Sequence, residues 1–256
     1  MPSDLRLITI PISHYCEKAR WALDWAGLRY TEDAHLQVFH YLPVRRAGGQ
    51  RTVPVLVHPD GVLLSSTDIL SFADERCSAE RRLLPRQAQE RAEVEQLIAR
   101  FDESLGPAGR LLLYHHLLTE APQLAPKYGC TGVPAWQRKL LPLAFPLVRL
   151  FLQRRLHISH ETAEQAHRLC QQSLDYVAVR LKAGLPYLVG DRFSGADLTF
   201  AALCAPLLMP PGYGVPLPLV PELPTDFGRI VTSFREHPAG RFALDMYKRH
   251  RPQLTG

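Results

Sequence analysis

The sequence predicts an α/β domain with a four-stranded mixed sheet, followed by an all-helical domain. Three observations predict this architecture. Strand and helix patterns alternate over the first eighty residues, strand signals then stop, and helical periodicity fills most of the remaining chain. The 256 residues, 46% of them hydrophobic, can form two domains with real cores. We place the domains at residues 1–80 and 88–256, with a polar, proline-containing link between them.

The first strand and helix follow directly on one another. Leu5–Ile10 is a short, nearly continuous apolar run, which is typical of a buried strand. Tyr15–Ala26 has apolar residues at helical spacing and is followed by Gly27, a common helix stop. A second, weakly patterned strand is predicted around Arg29–Leu36.

A β-hairpin is the clearest element of the first domain. Thr52–Leu64 contains two apolar runs on either side of Pro59-Asp60-Gly61, which are turn-forming residues. The following segment, SSTDILSFADE, begins with capping residues and predicts a helix. The order strand, helix, strand, strand, strand, helix joins a βαβ unit to a ββα unit, which makes a mixed sheet.

The second domain is predicted to contain only helices. They are Gln87–Leu105, Arg110–Leu118, Trp136–Leu156, His160–Ala183, Ser194–Leu208 and Asp226–Lys248. Ser194 and Asp197 form a capping-box pattern, with Phe193 and Leu198 as a hydrophobic staple. This motif nucleates a helix and predicts no catalytic role.

Composition excludes several classes of protein. The net charge of +5 comes from scattered basic residues without a nucleic-acid-binding motif, so we expect no nucleic acid partner. The five cysteines are far apart, which argues against a disulfide framework and a zinc site and indicates a reducing, cytoplasmic location. The eleven histidines lack metal-ligand spacing. His115 and His116 are adjacent, so we expect them to point different ways on a helix and predict no metal.

The most apolar stretch is too short to cross a membrane. Leu140–Leu152 contains two prolines and an arginine, and it falls short of the roughly 20 residues that a span needs. We interpret it as a buried helix pair. The alternative is an amphipathic segment bound to a membrane surface and followed by Arg154–Arg155.

Ser13 and Cys16 stand where the first strand pattern gives way to a helix pattern. Ser13 is placed to cap the helix, and Cys16 is then its third residue. A hydroxyl at a helix N-terminus could also hydrogen-bond a bound thiolate and lower its pKa. Cys16 could itself be the nucleophile, because a helix N-terminus also lowers the pKa of a cysteine.

Two further segments have chemistry that suits a peptide-like ligand. If the Val53–Pro54 peptide is cis, it presents the backbone groups of Val53 to an extended ligand. Ser66, Thr67 and Asp68 open the next helix, whose N-terminus favours anions. There Ser66 could bind a carboxylate and Asp68 an ammonium group.

Four motifs occur in one order over nearly the whole chain: SHYCEKARWAL, TVPVLV, LLSSTDI and GDRFSGADLT. Together they resemble the cytosolic glutathione transferases. The resemblance implies a thioredoxin-like first domain that binds glutathione as co-substrate and a helical domain that binds a hydrophobic electrophile. It also implies a cytoplasmic homodimer with a role in detoxification.

The resemblance implies roles for individual residues. Ser13 falls where serine-type classes keep the hydroxyl that activates the glutathione thiol, and Cys16 matches the second cysteine of a C-x-x-C motif. Val53 and Pro54 match the residues that pair with the glutathione backbone, with Pro54 cis. The remaining glutathione-site candidates are Arg51 and Thr52 at its glycine end, and Ser65, Ser66, Thr67 and Asp68 at its γ-glutamyl end.

The chain departs from the family at two places. Ser65 stands where most members have Glu or Gln, and Asp68 could compensate for it. The helical half contains extra sequence around Ala125–His157, which puts the shape of the electrophile pocket in question. Candidates for that pocket are Tyr114, His116 and Phe145, each of which could equally belong to the core.

Three functions follow as hypotheses. The first is a transferase that adds the glutathione thiolate to a small hydrophobic electrophile. The second is a glutathione-dependent thiol–disulfide or deglutathionylating enzyme that acts through Cys16. The third is a non-enzymatic, transferase-like module that binds lipid or a protein partner through the extra segment.

Overall fold

A four-stranded sheet forms the centre of the N-terminal domain in the computed structural model, which describes residues 4–252. The strands are β1 (Arg6–Thr9), β2 (Thr31–Ala34), β3 (Val55–His58) and β4 (Gly61–Leu63). They lie in the order β2-β1-β3-β4, and only the β1–β2 pair is parallel. The predicted mixed sheet is therefore confirmed.

Three helices belong to this domain: α1 (His14–Trp25), α2 (Tyr41–Arg46) and α3 (Ser66–Arg76). The predictions for α1 and α3 are confirmed, while α2 was not predicted. A six-residue helix with a proline inside it is too short to show helical periodicity.

The rest of the described chain is helical, as predicted. Its helices are α4 (Ala88–Arg100), α5 (Gly106–Thr119), α6 (Leu124–Tyr128), α7 (Ala135–Arg155), α8 (His160–Leu181), α9 (Gly195–Leu208), α10 (Thr225–Glu236) and α11 (Pro238–His250). One predicted C-terminal helix is in fact two, because Pro238 cannot continue the hydrogen bonding of α10 and instead begins α11. A π-helical segment, Phe101–Leu105, joins α4 to α5.

Helix α9 runs through the middle of the helical domain, and all of its residues are buried. The predicted carboxylate of its capping box is present. Asp197 accepts hydrogen bonds from the backbone N–H groups of Ser194, at 2.9 Å, and Leu188, at 2.8 Å. The motif is structural, as the sequence indicated.

Helix α7 packs through one face only. Gln137 and Leu141 are its buried residues, and the Gln137 amide accepts a hydrogen bond from the Leu36 backbone N–H at 3.0 Å. Its opposite face carries exposed apolar side chains, so the interpretation as a buried helix pair is wrong. Within residues 4–252, no helix has the length and apolar character needed to span a membrane.

Candidate functional site

Three chain segments meet at one edge of the sheet. Because β1 and β3 are antiparallel, with Ile8 opposite Val55, the end of β1 lies beside the start of β3. Because β3 and β4 are also antiparallel, with Leu56 opposite Leu63, the end of β4 lies at that same edge. The start of α1, the residues before β3 and the start of α3 are therefore neighbours, as the sequence-based site requires.

Ser13 occupies the N-cap position of α1, but its side chain does not cap the helix. Its backbone carbonyl accepts the first helical bond, from Glu17 N–H at 2.9 Å, while its hydroxyl accepts no helix N–H group. The hydroxyl instead acts on the Cys16 thiol, whose pKa it helps to lower against the effect of burial. The predicted capping bond is wrong, and a half-buried hydroxyl stands at the positive end of the helix dipole.

Cys16 faces the protein interior. Its side chain is 0% exposed, and burial raises its thiol pKa to about 11, although the Arg20 charge and the Ser13 hydrogen bond oppose this rise. The thiolate is the reactive form of cysteine, and reactive cysteines are partly exposed with lowered pKa values. The environment of Cys16 therefore disfavours it as a nucleophile.

The segment before β3 lies at the same edge. The Val53–Pro54 peptide is cis, with Val53 half-buried and Pro54 buried. Arg51 and Thr52 are exposed just before them, and the Arg51 carbonyl lies 3.0 Å from His40 Nε2. All four residues lie at the same edge as Ser13, and their role in binding glutathione stays a prediction.

The side chains at the start of α3 have different partners. Ser65 caps the helix by accepting a hydrogen bond from Asp68 N–H at 3.0 Å. Ser66 is buried, and no residue within 4–252 hydrogen-bonds its hydroxyl. Thr67 instead bonds Lys18 Nζ and the Asp102 carboxylate, each at 2.7 Å. The Thr67 side chain therefore belongs to the contact with the helical domain, and its role in the glutathione site stays a prediction.

The first turns of α1 are held by the π-helical segment and the start of α5, a contact that the sequence analysis missed. Tyr15 donates its hydroxyl to the Asp102 carbonyl at 2.7 Å, and Lys18 pairs with the Asp102 carboxylate at 2.7 Å. His14 Nε2 lies 3.0 Å from the Gly106 carbonyl oxygen. A Cβ atom on Gly106 would lie 2.2 Å from the Tyr15 hydroxyl, so this contact requires glycine.

Arg110 is a second residue that the sequence analysis missed. Burial lowers the pKa of His14 to about 3, and the Arg110 charge contributes to this shift. The same guanidinium opposes the rise in the pKa of Tyr15 to about 12, which burial and Asp102 cause. No carboxylate among residues 4–252 forms an ion pair with Arg110. An unpaired, half-buried cation thus acts on the N-terminal turn of α1, where it favours an anionic ligand.

An apolar pocket has Ile12, the residue before Ser13, in its wall. It encloses about 520 Å³ of empty space that includes open solvent, and Ile12, Tyr114 and Phe145 are among its lining residues. The Tyr114 hydroxyl accepts a hydrogen bond from Gln37 at 2.8 Å. Ile12 also lines a second apolar pocket, together with Leu113 and Leu117. Two of the three predicted pocket residues, Tyr114 and Phe145, are therefore in place.

His116 does not line either pocket. Its ring stacks on Phe227 with centroids 4.8 Å apart, and its Nδ1 atom lies 2.8 Å from Glu120 Oε1. Ligand atoms of His115, His116 and Glu120 lie within 4.8 Å of one another, so the expectation that the two histidines diverge is wrong. This cluster is ten residues along α5 from Gly106, about 15 Å at the helical rise, and we assign it no part in the site.

The fold and this edge define a two-domain protein of the thioredoxin-like class, with an apolar pocket between its sheet edge and its helical domain. The family model for the N-terminal domain of glutathione S-transferases matches residues 7–81. No curated protein matches the chain significantly.

Solved structures resemble nearly the whole chain. A glutathione S-transferase from Xanthobacter autotrophicus Py2 is 18% identical, with a TM-score of 0.60 over 98% of this chain and 97% of that one. One from Pseudomonas fluorescens Pf-5 is 20% identical, with a TM-score of 0.59 over 98% and 100%. A theta-class enzyme from Xanthomonas axonopodis pv. citri, solved with glutathione bound, is 18% identical, with a TM-score of 0.56 over 98% of both chains.

These findings identify the domain family of residues 7–81 and the fold of the whole described chain. Residues 7–81 belong to the glutathione S-transferase N-terminal domain family, and the whole described chain has the glutathione S-transferase fold.

Proposed function

We propose that this protein is a glutathione transferase that joins the glutathione thiolate to a small hydrophobic electrophile. One observation carries the proposal. The Ser13 hydroxyl stands at the α1 N-terminus beside Ile12, which lines the apolar pocket, and at the same sheet edge as Val53 and Ser66. The residue proposed to activate glutathione and a residue of the apolar pocket wall are thus neighbours in the chain, Ser13 and Ile12.

Ser13 acts by stabilising the thiolate form of bound glutathione. Its hydroxyl donates a hydrogen bond to the sulfur, and the α1 dipole and the Arg110 charge favour the same anion. Each unit by which they lower the thiol pKa corresponds to about 1.4 kcal/mol. The thiol proton leaves to solvent, and the sulfur then forms a bond to the electrophilic carbon while the leaving group departs with its electron pair.

The remaining glutathione contacts follow from the same edge. The backbone of Val53, next to Pro54, pairs with the peptide part of glutathione, and the unpartnered hydroxyl of Ser66 binds its γ-glutamyl carboxylate. Asp68 faces the γ-glutamyl amine. Ser65 contributes indirectly, since it caps α3. Arg51 and Thr52 are exposed near the glycine carboxylate.

The wider assignment rests on the family resemblance alone. We propose a cytoplasmic homodimer that acts in detoxification. The bound glutathione of the Xanthomonas relative supports the choice of co-substrate. Burial of Cys16 and its raised thiol pKa favour this transferase over a thiol–disulfide enzyme that uses Cys16.

The decisive experiment compares Ser13→Ala with Cys16→Ser. Glutathione binding is measured by calorimetry, and the thiolate absorbance of bound glutathione is followed against pH. We expect the wild type and Cys16→Ser to lower the thiol pKa below that of free glutathione, and Ser13→Ala to lose at least a pKa unit of this effect, about tenfold in thiolate at a given pH. Failure of the wild type to bind glutathione would overturn the transferase proposal, and dependence on Cys16 instead of Ser13 would favour the redox enzyme.

A further inference from the structure

Helix α7 presents an apolar stripe to solvent. The stripe consists of Trp136 (58% exposed), Leu140 (42%), Leu143 (79%), Leu147 (72%), Leu150 (43%) and Phe151 (40%). At the rotation of an α-helix, these six positions fall within an arc of about 100°. They are six of the twelve exposed large apolar side chains in residues 4–252. Such a concentration marks an interaction surface, whereas single exposed apolar residues do not.

The stripe is not needed to hold α7 in the fold. The other side of the helix supplies that contact, because Leu141, Phe145 and Val148 line the apolar pocket and Gln137 bonds the Leu36 backbone. Trp136 also contacts Phe39, with ring centroids 5.7 Å apart, and the five other exposed residues add apolar surface beyond what the packing of this helix uses.

The charge of α7 selects the kind of partner. The helix contains five basic residues and no acidic one; the basic residues are Arg138, Lys139, Arg149, Arg154 and Arg155. On a helical projection Lys139 borders the stripe, and Arg154 continues it. A second copy docked on the same stripe would bring two such helices together and place like charges opposite one another. A negatively charged apolar surface complements both properties of the helix.

We propose that α7 docks this protein on the surface of an anionic lipid bilayer. A basic helix with a continuous apolar face lies in the plane of the membrane interface, where apolar side chains enter the acyl boundary and cations contact lipid phosphates. Trp136, at the N-terminal end of the stripe, suits the headgroup level. The attachment is peripheral, since no helix within residues 4–252 can span a bilayer.

Docking also has a consequence that rests on the proposed function. The inner side of α7 lines the apolar pocket, so a docked helix holds that pocket next to the lipid. Apolar electrophiles dissolved in the bilayer would then be the substrate class with the shortest path to Ser13.

Vesicle co-sedimentation tests the docking without glutathione. We expect the wild type to bind phosphatidylcholine vesicles that contain phosphatidylglycerol, to bind pure phosphatidylcholine weakly, and to lose binding as salt screens the charges. Trp136 is the most exposed tryptophan, since Trp21 is buried and Trp25 half-buried, so its emission should shift to the blue on binding. Trp136→Phe should abolish that shift.

Matched variants separate the stripe from general surface properties. Leu143→Gln with Leu147→Gln should weaken binding about a hundredfold, since each removes one large apolar contact. The control is Val179→Gln with Leu219→Gln, at positions of similar exposure elsewhere, and it should bind as the wild type does.

The charges have their own matched pair of variants. Arg154→Gln with Arg155→Gln should weaken binding to anionic vesicles about fivefold per removed charge. The control, Lys182→Gln with Lys248→Gln, removes two exposed cations outside α7 and should bind within twofold of the wild type.

Failure of the wild type to bind anionic vesicles would overturn the proposal, and two further results would do so as well. One is vesicle binding that neither stripe nor charge variants change. The other is a lipid-free wild-type dimer that becomes a monomer in the leucine variant without vesicle binding, since the occupant of the stripe is then a second copy. Glutathione calorimetry on the same proteins shows whether a failure concerns docking alone or the transferase function as well.

Discussion

Helix α1 leaves 0% of Glu17, 0% of Lys18 and 1% of Arg20 exposed, whereas helix α7 leaves 79% of Leu143 and 72% of Leu147 in solvent. The charges of α1 are buried because other parts of the chain close over them. Glu17 bonds Arg251, near the end of the described chain, at 2.7 Å, and Lys18 bonds Asp102 of the helical domain at 2.7 Å. In these two helices, the burial of a side chain follows from whether the helix lies between the two domains, and not from the hydrophobicity of the side chain alone.

The difference in burial between α1 and α7 also matches a difference in what the two helices do. Helix α1 must keep its N-terminus fixed, because the hydroxyl proposed to activate glutathione stands there, and buried ion pairs fix geometry at the cost of desolvation. Helix α7 covers the pocket from one side and is free of contacts within the described chain along most of its outer face. The predictions below test this contrast, from the largest expected effect to the smallest.

Removal of the central carboxylate of the α1 network should have the largest effect. Glu17→Ala leaves Arg20 and Arg251 buried without their shared partner, and we expect it to lower the free energy of unfolding by about 3–5 kcal/mol. Chemical denaturation measures the change. Glu75→Ala is the control, because Glu75 forms an exposed pair with Arg76 and its loss should change little. Equal destabilisation by the two variants would show that the buried network of α1 contributes no more to stability than an exposed ion pair does.

Acid should destabilise the protein through His14. The folded-state pKa is lowered from 6.5 to about 3, chiefly by burial, so the unfolded chain takes up the proton first as the pH falls. This stability contribution is present above pH 6.5 and is lost towards pH 3, with about 2 kcal/mol gone by pH 5. The His14→Gln variant should flatten the measured dependence of unfolding free energy on pH by that amount. An unchanged pH dependence would show that His14 does not titrate as described.

Truncation of a side chain on the inner face of α7 should lower the free energy of unfolding by a smaller amount. Phe145→Ala removes a half-buried ring from the pocket wall, and we expect about 1–2 kcal/mol of destabilisation together with a severalfold higher KM for apolar electrophiles. The thiolate formed with Ser13 should not change. Phe151→Ala, on the outer face of the same helix, is the control for KM.

The outer face of α7 should show the smallest effect on stability. We expect Leu143→Gln to change the free energy of unfolding by less than about 0.5 kcal/mol, because the side chain makes few contacts in the folded chain. Chemical denaturation without lipid measures this. A large destabilisation would mean that the leucine is buried in solution against another copy.

The parts of the fold with regular patterns could be predicted from sequence. Two apolar runs and the turn at Pro59-Asp60-Gly61 located the hairpin, and the Ser194/Asp197 pattern located α9. Short elements such as α2 could not be predicted, since six residues show no period. The sequence left burial and exposure of α7 as alternatives, because an apolar run looks the same whether or not another element covers it.

The candidate site divides in the same way. The family resemblance grouped Ser13, Val53 and Ser66 into one site, and the strand order of the structure brings their three segments to one edge. The hydrogen bonds of Thr67 to Lys18 and Asp102 join positions far apart in sequence, and no local pattern reports such a partner. Arg110 was missed for the same reason, since its influence on His14 depends on how two domains meet.

The π-helical segment Phe101–Leu105 joins α4 and α5 into one continuous helix and rotates the side-chain positions of α5 relative to those of α4. A π-helical turn takes up one residue more than an α-helical turn, so the faces on its two sides are offset by about 100°. Tyr114 and Leu117 line the pocket, and the extra residue sets the helical face on which they lie. A chain shortened by one residue between Arg100 and Gly106 would turn the same side chains towards other neighbours. The direction in which the side chains of α5 point therefore depends on the number of residues in the π-helical segment as well as on which residues they are.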